Sequence, residues 1–329
     1  MKVGLDAFTV RELNLNPFKQ IDYAVEHGFN GIHFDDVHKV SKRIDVEELK
    51  EVKSYADDKK IYSYISIDAC NPHLLKDSPI SPLELISREV EACAEAGWHE
   101  LRSIIGHASE VYSDVVEWTK QIPDTIDFLN KLKPLLADLE SRVNLENHGD
   151  ATTFQLVWMV EEIGPHVLGI NLDTANMLIH AEDPVMAAKR VAPYTHLTHA
   201  KDGIIFFSPS GYTRQGRPPG EGIVDWENLI KALYSFQPDL PMSLEDHKWL
   251  FQSKIYDKLW LDLHPDLTVP EFAKIFNHIQ SVEEKLQSGE IMNVEDYEKI
   301  PYSEQMEERI SSGRNYLQDI LKKNNLLSK

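Results

Sequence analysis

Residues 142–150, RVNLENHGD, and residues 168–176, LGINLDTAN, carry the reading of the whole chain. Each is a short apolar run that ends on a carboxylate, Glu146 in the first and Asp173 in the second, just before a turn or helix signal. Residues 195–203, THLTHAKDG, and 241–247, PMSLEDH, repeat the pattern with His199 and Glu245. Leu145, Leu172 and Leu244 stand directly before three of these polar residues, as expected where a strand leaves a packed interior. The four polar residues are about 27, 26 and 46 positions apart, a spacing that fits successive βα units. Active sites of (β/α)8 barrels lie at the C-terminal ends of the strands, so the fold would bring all four to one point.

Working outward, strand signals alternate with helix signals along the chain. The strand candidates are Lys2–Ala7, Gly31–Asp35, Ile61–Ile67, Glu100–Ile105, Val143–Glu146, Leu168–Asp173, His196–His199 and Met242–Glu245. Between them lie amphipathic stretches with clear punctuation. FKQIDYAVEHG closes on Gly28, and SPLELISREVEACAEAG has Ser81 as N-cap, Pro82 at the first helical position and Gly97 as the stop. Asp225 caps DWENLIKALYSF. Eight such alternations predict an α/β fold, a (β/α)8 TIM barrel, over the alternative of an open doubly wound sheet. Two regions depart from the period. Asp202 to Gly222 is a long Gly-, Pro- and aromatic-rich loop after strand 7, placed over the proposed site, and loops of that length are usually functional or disordered. Beyond an eighth helix at roughly 269–287, a C-terminal helical extension is expected. The predicted organisation is therefore a catalytic barrel over 1–285 and an extension over 286–329 that packs on the barrel or on a partner.

A chain of 329 residues, 42% hydrophobic and 27% charged, has the composition of a soluble globular protein. No run approaches membrane-spanning length, the start MKVGLDAFTV reads as a strand rather than a leader, and a cytoplasmic location is expected. Two cysteines, Cys70 and Cys93, are too few for a disulfide framework or a thiolate zinc site, and they read as inert. The net charge of −20 opposes binding to phosphate backbones, so neither a nucleic acid nor a membrane is expected as partner.

Glu146, Asp173, His199 and Glu245 suit one divalent cation, Mn²⁺ first, with Mg²⁺, Co²⁺ or Zn²⁺ as options. Any one of them alone would more often cap a helix than hold a metal. His148, one pleat beyond Glu146, is the candidate acid/base, because imidazole titrates near neutral pH; a surface loop histidine is the plain alternative. Glu146 and Glu245 are the other candidate bases. Lys201 and Asp202 could orient His199 or bind substrate hydroxyls, and Arg214 and Arg217 could clamp a polar substrate, although solvated loop charges are commoner. His107 and Asn176 are further candidates for substrate contact, with His33 and Asp35 behind them. Trp249, Phe251 and Trp260 could form a sugar-stacking wall, against ordinary packing.

The ordered quartet resembles that of the xylose isomerase-like TIM barrels, which include ketose 3-epimerases, hydroxypyruvate isomerase, inosose dehydratase and endonuclease IV. The resemblance covers roughly residues 1–285. It implies a divalent ion that chelates the carbonyl and hydroxyl of a sugar, with the carboxylates at Glu146 and Glu245 moving protons at the adjacent carbon. Two departures narrow it. Ketose 3-epimerases and endonuclease IV carry a histidine three positions after the aspartate, where this chain has Asn176. Endonuclease IV also needs an Asp-x-His pair after the seventh strand, where this chain reads KDG, so a phosphodiester nuclease is not expected. The ENH tripeptide, the long seventh loop and the C-terminal extension look more like the larger subunit of bacterial C-glycoside deglycosidases. That resemblance implies a lyase acting on 3-oxo-C-glucosides by β-elimination, paired with a small β-rich subunit. The alternatives are a keto-sugar isomerase or epimerase working as a homo-oligomer, and a non-catalytic sugar-binding scaffold.

Overall fold

The computed structural model describes residues 1–113 and 115–327. Eight parallel strands close into a barrel: β1 (Lys2–Asp6), β2 (Gly31–Phe34), β3 (Tyr62–Ser66), β4 (Glu100–Ser103), β5 (Arg142–Glu146), β6 (Leu168–Asp173), β7 (Thr195–Ala200) and β10 (Pro241–Leu244). Closure comes from β1 pairing with β10 in the register Leu5↔Leu244. The strands read as near-continuous apolar runs because both faces are covered; Leu5, Ile32, Ile65, Leu101, Leu145 and Leu172 are all fully buried. Helix punctuation falls where the residues demand it. Ser81 Oγ accepts the Glu84 backbone N–H at the start of the 82–96 helix, and Gly97 ends it at φ +97°.

The segment after β7, expected to be a long loop, is instead an antiparallel hairpin of β8 (Asp202–Ser208) and β9 (Gly211–Arg217), extended by β11 (Leu250–Ser253). Its aromatic and β-branched residues, read as loop because of the Gly and Pro around them, supply a cross-strand ladder. The base of the hairpin is pinned by Asp202. Its carboxylate accepts backbone N–H groups of Gly203, Gly220 and Val224 and the Trp226 indole N–H. A Cβ at Gly222 would fall inside that carboxylate, so only glycine fits there.

The C-terminal region adds helices at Val294–Lys299 and Tyr302–Lys323. Met306, Ile310, Leu317 and Leu321 join the same hydrophobic core as the barrel strands. The backbone oxygen of Leu326 accepts a hydrogen bond from the N-terminal ammonium of Met1 at 2.8 Å. No described helix is long and apolar enough to cross a membrane.

Candidate metal centre and active site

Strand ends β5, β6, β7 and β10 deliver Glu146, Asp173, His199 and Glu245 to one place, with a ligand atom of each within 4.8 Å of the others. All four are buried. Local hydrogen bonds fix the strand ends. Asn147 joins β5 to β6 by donating to the Asp173 carbonyl at 2.8 Å while accepting the Asp173 N–H at 2.9 Å. Thr9 joins β1 to β10 by donating to the Leu244 carbonyl and accepting the Asp246 N–H.

The His199 ring has two different sides. Its Nε2 lies 3.3 Å from Asp6 Oδ2 and 3.2 Å from His33 Nδ1, whereas Nδ1 lies 2.6 Å from Glu245 Oε2 and 3.1 Å from Glu146 Oε2. In the neutral ring, a proton on Nε2 facing Asp6 would leave the Nδ1 lone pair turned toward the carboxylates, the arrangement a metal ligand needs. Among the described residues, Glu146 Oε1 is buried with no hydrogen-bond partner, whereas Glu245 Oε2 and His199 Nδ1 face each other at 2.6 Å. Three carboxylates and one imidazole, buried with a ligand atom of each within 4.8 Å of the others, offer a ready set of donors to one cation. The residues therefore fit a divalent ion, and one imidazole with three carboxylates is the donor set of a hard or borderline metal.

Asp173 is the most constrained of the four. Its Oδ1 accepts from the backbone of Ala175 and Asn176, and its Oδ2 accepts from the Asn176 side chain at 2.7 Å. The Lys201 ammonium bridges the remaining gap, 2.7 Å from Asp173 Oδ2 and 2.9 Å from Glu245 Oε1. Arg102 Nε donates to Glu146 Oε2 at 2.6 Å. Burial alone would raise both glutamates, but Arg102 and His199 hold Glu146 well below the usual carboxylate range, as Lys201 and His199 do for Glu245. Burial would likewise lower His199, and the facing Glu146, Glu245 and Asp6 outweigh it and hold the ring well above its ordinary value.

A cavity of about 350 Å³ opens beside the quartet. His148 and His107 share one wall, with ring centroids 5.1 Å apart and edge to face. Burial lowers His148 against the pull of Glu146, keeping it neutral and able to accept a proton. Asn176, Lys201 and Asp35 also line the cavity. Trp249 and Phe251 form another wall, whereas Trp260 stacks on His264 in a separate cluster. Arg217, expected to meet substrate, does not line this cavity. It stacks on Tyr297 at 3.4 Å and donates to Gln215 at 2.6 Å, because β9 is a strand that packs against the C-terminal helices rather than a mobile loop. Arg214 is fully buried over the Phe251 ring. Cys70 and Cys93 are buried, and burial pushes both thiols up.

Two contributors were missed in the sequence. Asp6 ends β1 as Glu146 ends β5, and the same strand-end rule could have found it. Arg102 lies inside β4, and nothing local distinguishes it from a solvated residue until the barrel closes. Because Asp6 faces the Nε2 side of His199, opposite the carboxylates, Asp6→Asn is expected to weaken Mn²⁺ binding by about 10- to 100-fold in calorimetric titration. An unchanged dissociation constant would remove Asp6 from that role.

Residues 21–256 match the sequence profile of the xylose isomerase-like TIM barrel family. The chain belongs to that family. A curated relative, the uncharacterised protein YihM of Escherichia coli K12, is 31% identical over 97 residues, and the match spans 30% of each chain. Two solved structures share the fold. A D-psicose 3-epimerase described with D-fructose superposes with a TM-score of 0.60 at 17% identity, covering 87% of this chain and 98% of its own. The 3-keto-D-glucoside 4-epimerase YcjR of E. coli gives 0.56 at 17% identity, covering 84% and 99%.

Proposed function

We propose that the protein is a divalent-metal-dependent enzyme that removes a proton from the carbon next to the carbonyl of an oxo-sugar, and returns it as an isomerase or epimerase does. The observation that carries this reading is the convergence of Glu146, Asp173, His199 and Glu245, all buried and with a ligand atom of each within 4.8 Å of the others, beside a cavity of ligand size. Bound there, a divalent ion would act as a Lewis acid on the carbonyl and lower the cost of the enediolate. Glu146, Asp173, His199 and Glu245 would hold it.

Glu146 and Glu245 would take and return the proton at the carbon beside the carbonyl. Arg102 and Lys201 keep them ionised and so ready as bases. Lys201 and Asn176 are placed for hydroxyl contacts, while the buried setting excludes bulk water from the anionic intermediate. The sugar epimerases that share the fold, one named for a 3-keto-glucoside, support an oxo-glycoside as the substrate class.

A second reading has one specific observation in its favour. His148 and His107 face the carboxylates across the cavity. An acid in that position could protonate a departing group, so that the same enolate would collapse by β-elimination, as in a C-glycoside deglycosidase. On that reading a small β-rich partner should copurify with the chain; on the first it should work alone or as a homo-oligomer.

The test common to both is proton exchange. Protein loaded with Mn²⁺ and given methyl 3-oxo-β-D-glucoside in D₂O is expected to incorporate deuterium beside the carbonyl, followed by NMR, and to stop when the metal is stripped with chelator. Absence of exchange with the loaded protein sinks the enolising reading. Release of the aglycone in place of a labelled sugar, tested with a C-glycoside, would favour the lyase.

A further inference from the structure

The cavity has two unlike halves. Its floor is polar, with Glu245, Lys201, Asn176 and His148 close to the quartet. Its outer wall is aromatic, built from Phe8, His247, Trp249 and Phe251. Phe8 meets Trp249 edge to face at 5.5 Å, and His247 lies 4.5 Å from the indole, tilted by 35°. Phe251 follows two residues later, on the same side of the strand as Trp249, while Leu250 between them points away.

Cations brace the wall from behind. The Arg11 guanidinium lies 4.2 Å from the Phe8 centroid and 5.5 Å from that of Trp249, and Arg214 lies 4.6 Å from that of Phe251. Trp249 nevertheless remains 49% exposed while lining the cavity. A tryptophan held by Phe8, His247 and Arg11 and still half exposed where it lines the cavity is pre-organised to stack, because the ordering cost of the ring is already met by the fold.

Packing alone accounts for Phe8 and His247 but leaves the open indole surface without a purpose. The cavity volume of about 350 Å³ also lies in the range of sites for ligands larger than one sugar ring. We propose that this wall is a second subsite that takes an aromatic ring attached to the anomeric position of the sugar. The assignment rests on the oxo-glycoside reading for what occupies the polar floor. It adds that the substituent presents a flat aromatic face rather than a methyl group.

The experiment is calorimetric titration of the Mn²⁺-loaded protein with four ligands: phenyl and methyl β-D-glucoside, and the 3-oxo form of each. The phenyl compound of each pair is expected to bind about tenfold more tightly than the methyl, the increment of one stacked ring. Trp249→Ala should erase most of that preference and Trp249→Phe should keep part of it. Both variants change a half-exposed side chain, and their urea midpoints verify that they fold.

Equal affinity of phenyl and methyl compounds for the wild type would overturn the proposal, as would an undiminished preference in a folded Trp249→Ala protein. Failure of the metal reading looks different. The 3-oxo compounds would then bind no better than their parents while the phenyl preference persisted, leaving the aromatic subsite standing by itself. If instead the 3-oxo forms bind better and phenyl and methyl are equal, the enolising site stands and the subsite falls.

Discussion

Glu146→Gln should leave a folded protein that no longer retains a stoichiometric divalent ion and that exchanges the sugar proton at least about 10²-fold more slowly. The reason is local. In the native site Glu146 Oε2 accepts from Arg102 Nε at 2.6 Å and from Asn171 Nδ2 at 3.1 Å and lies 3.1 Å from His199 Nδ1, while Oε1 is buried without a partner. An amide must point its NH₂ one way or the other. Turned toward Arg102 and Asn171, it sets donor against donor; turned inward, it sets donor hydrogens where a cation belongs. Either orientation also removes the counter-charge that Arg102 was folded against. Metal content after dialysis, measured by mass spectrometry, and deuterium incorporation in D₂O read the two consequences separately. A variant that keeps one ion per chain and wild-type exchange would show that Glu146 is a strand-end residue and nothing more. Asp6→Asn gives the graded comparison, since Asp6 reaches the ion only through His199.

How much of this was legible in the sequence depended on the range of the interaction. The eight barrel strands were readable because each is an apolar run whose neighbours are helices with ordinary caps, and the polar residue at the end of each run marks where the interior stops. Leu168–Asp173 is found at the expected bounds, and Glu245 lies one residue past β10. The hairpin 202–217 was misread because Gly203, Gly211 and Gly216 interrupt a pattern that cross-strand pairing then tolerates. Register with β11, more than thirty residues later along the chain, is what makes Gln215 and Arg214 strand residues. Arg217 moves away from the cavity with it, because it sits on β9 and its partner, Tyr297, lies far along the sequence. The same limit hid Arg102. A residue defined by what it faces across a barrel carries no local mark, whereas one defined by where its strand ends does.

Arg309→Met is expected to lower stability by about 3–5 kcal/mol, the cost of leaving one member of a buried ion pair without its partner. Arg309, on the Tyr302–Lys323 helix, is 3% exposed. It grips Asp246 with two bonds of 2.6 Å, one from Nε to Oδ2 and one from Nη2 to Oδ1. Tyr302 donates to the carbonyls of Thr9 and Asp246, and Arg309 also bonds the Tyr297 hydroxyl. The C-terminal helix is thereby tied to the residue immediately after Glu245, and the tie also sets the course of the chain into His247 and Trp249. Since domains are stable by only about 5–15 kcal/mol, the loss should move the urea midpoint far down while leaving a folded fraction to study. Adding Asp246→Asn removes the stranded charge, so the double variant should recover part of the loss, and the cycle isolates the pair. A single variant with a wild-type midpoint would mean that the helix is held by Met306, Ile310 and Leu317 alone. The placement of Glu245 gives a second readout. If the ion pair positions the end of β10, the folded Arg309→Met protein should bind Mn²⁺ more weakly than wild type even at low temperature; unchanged affinity would confine the pair to stability.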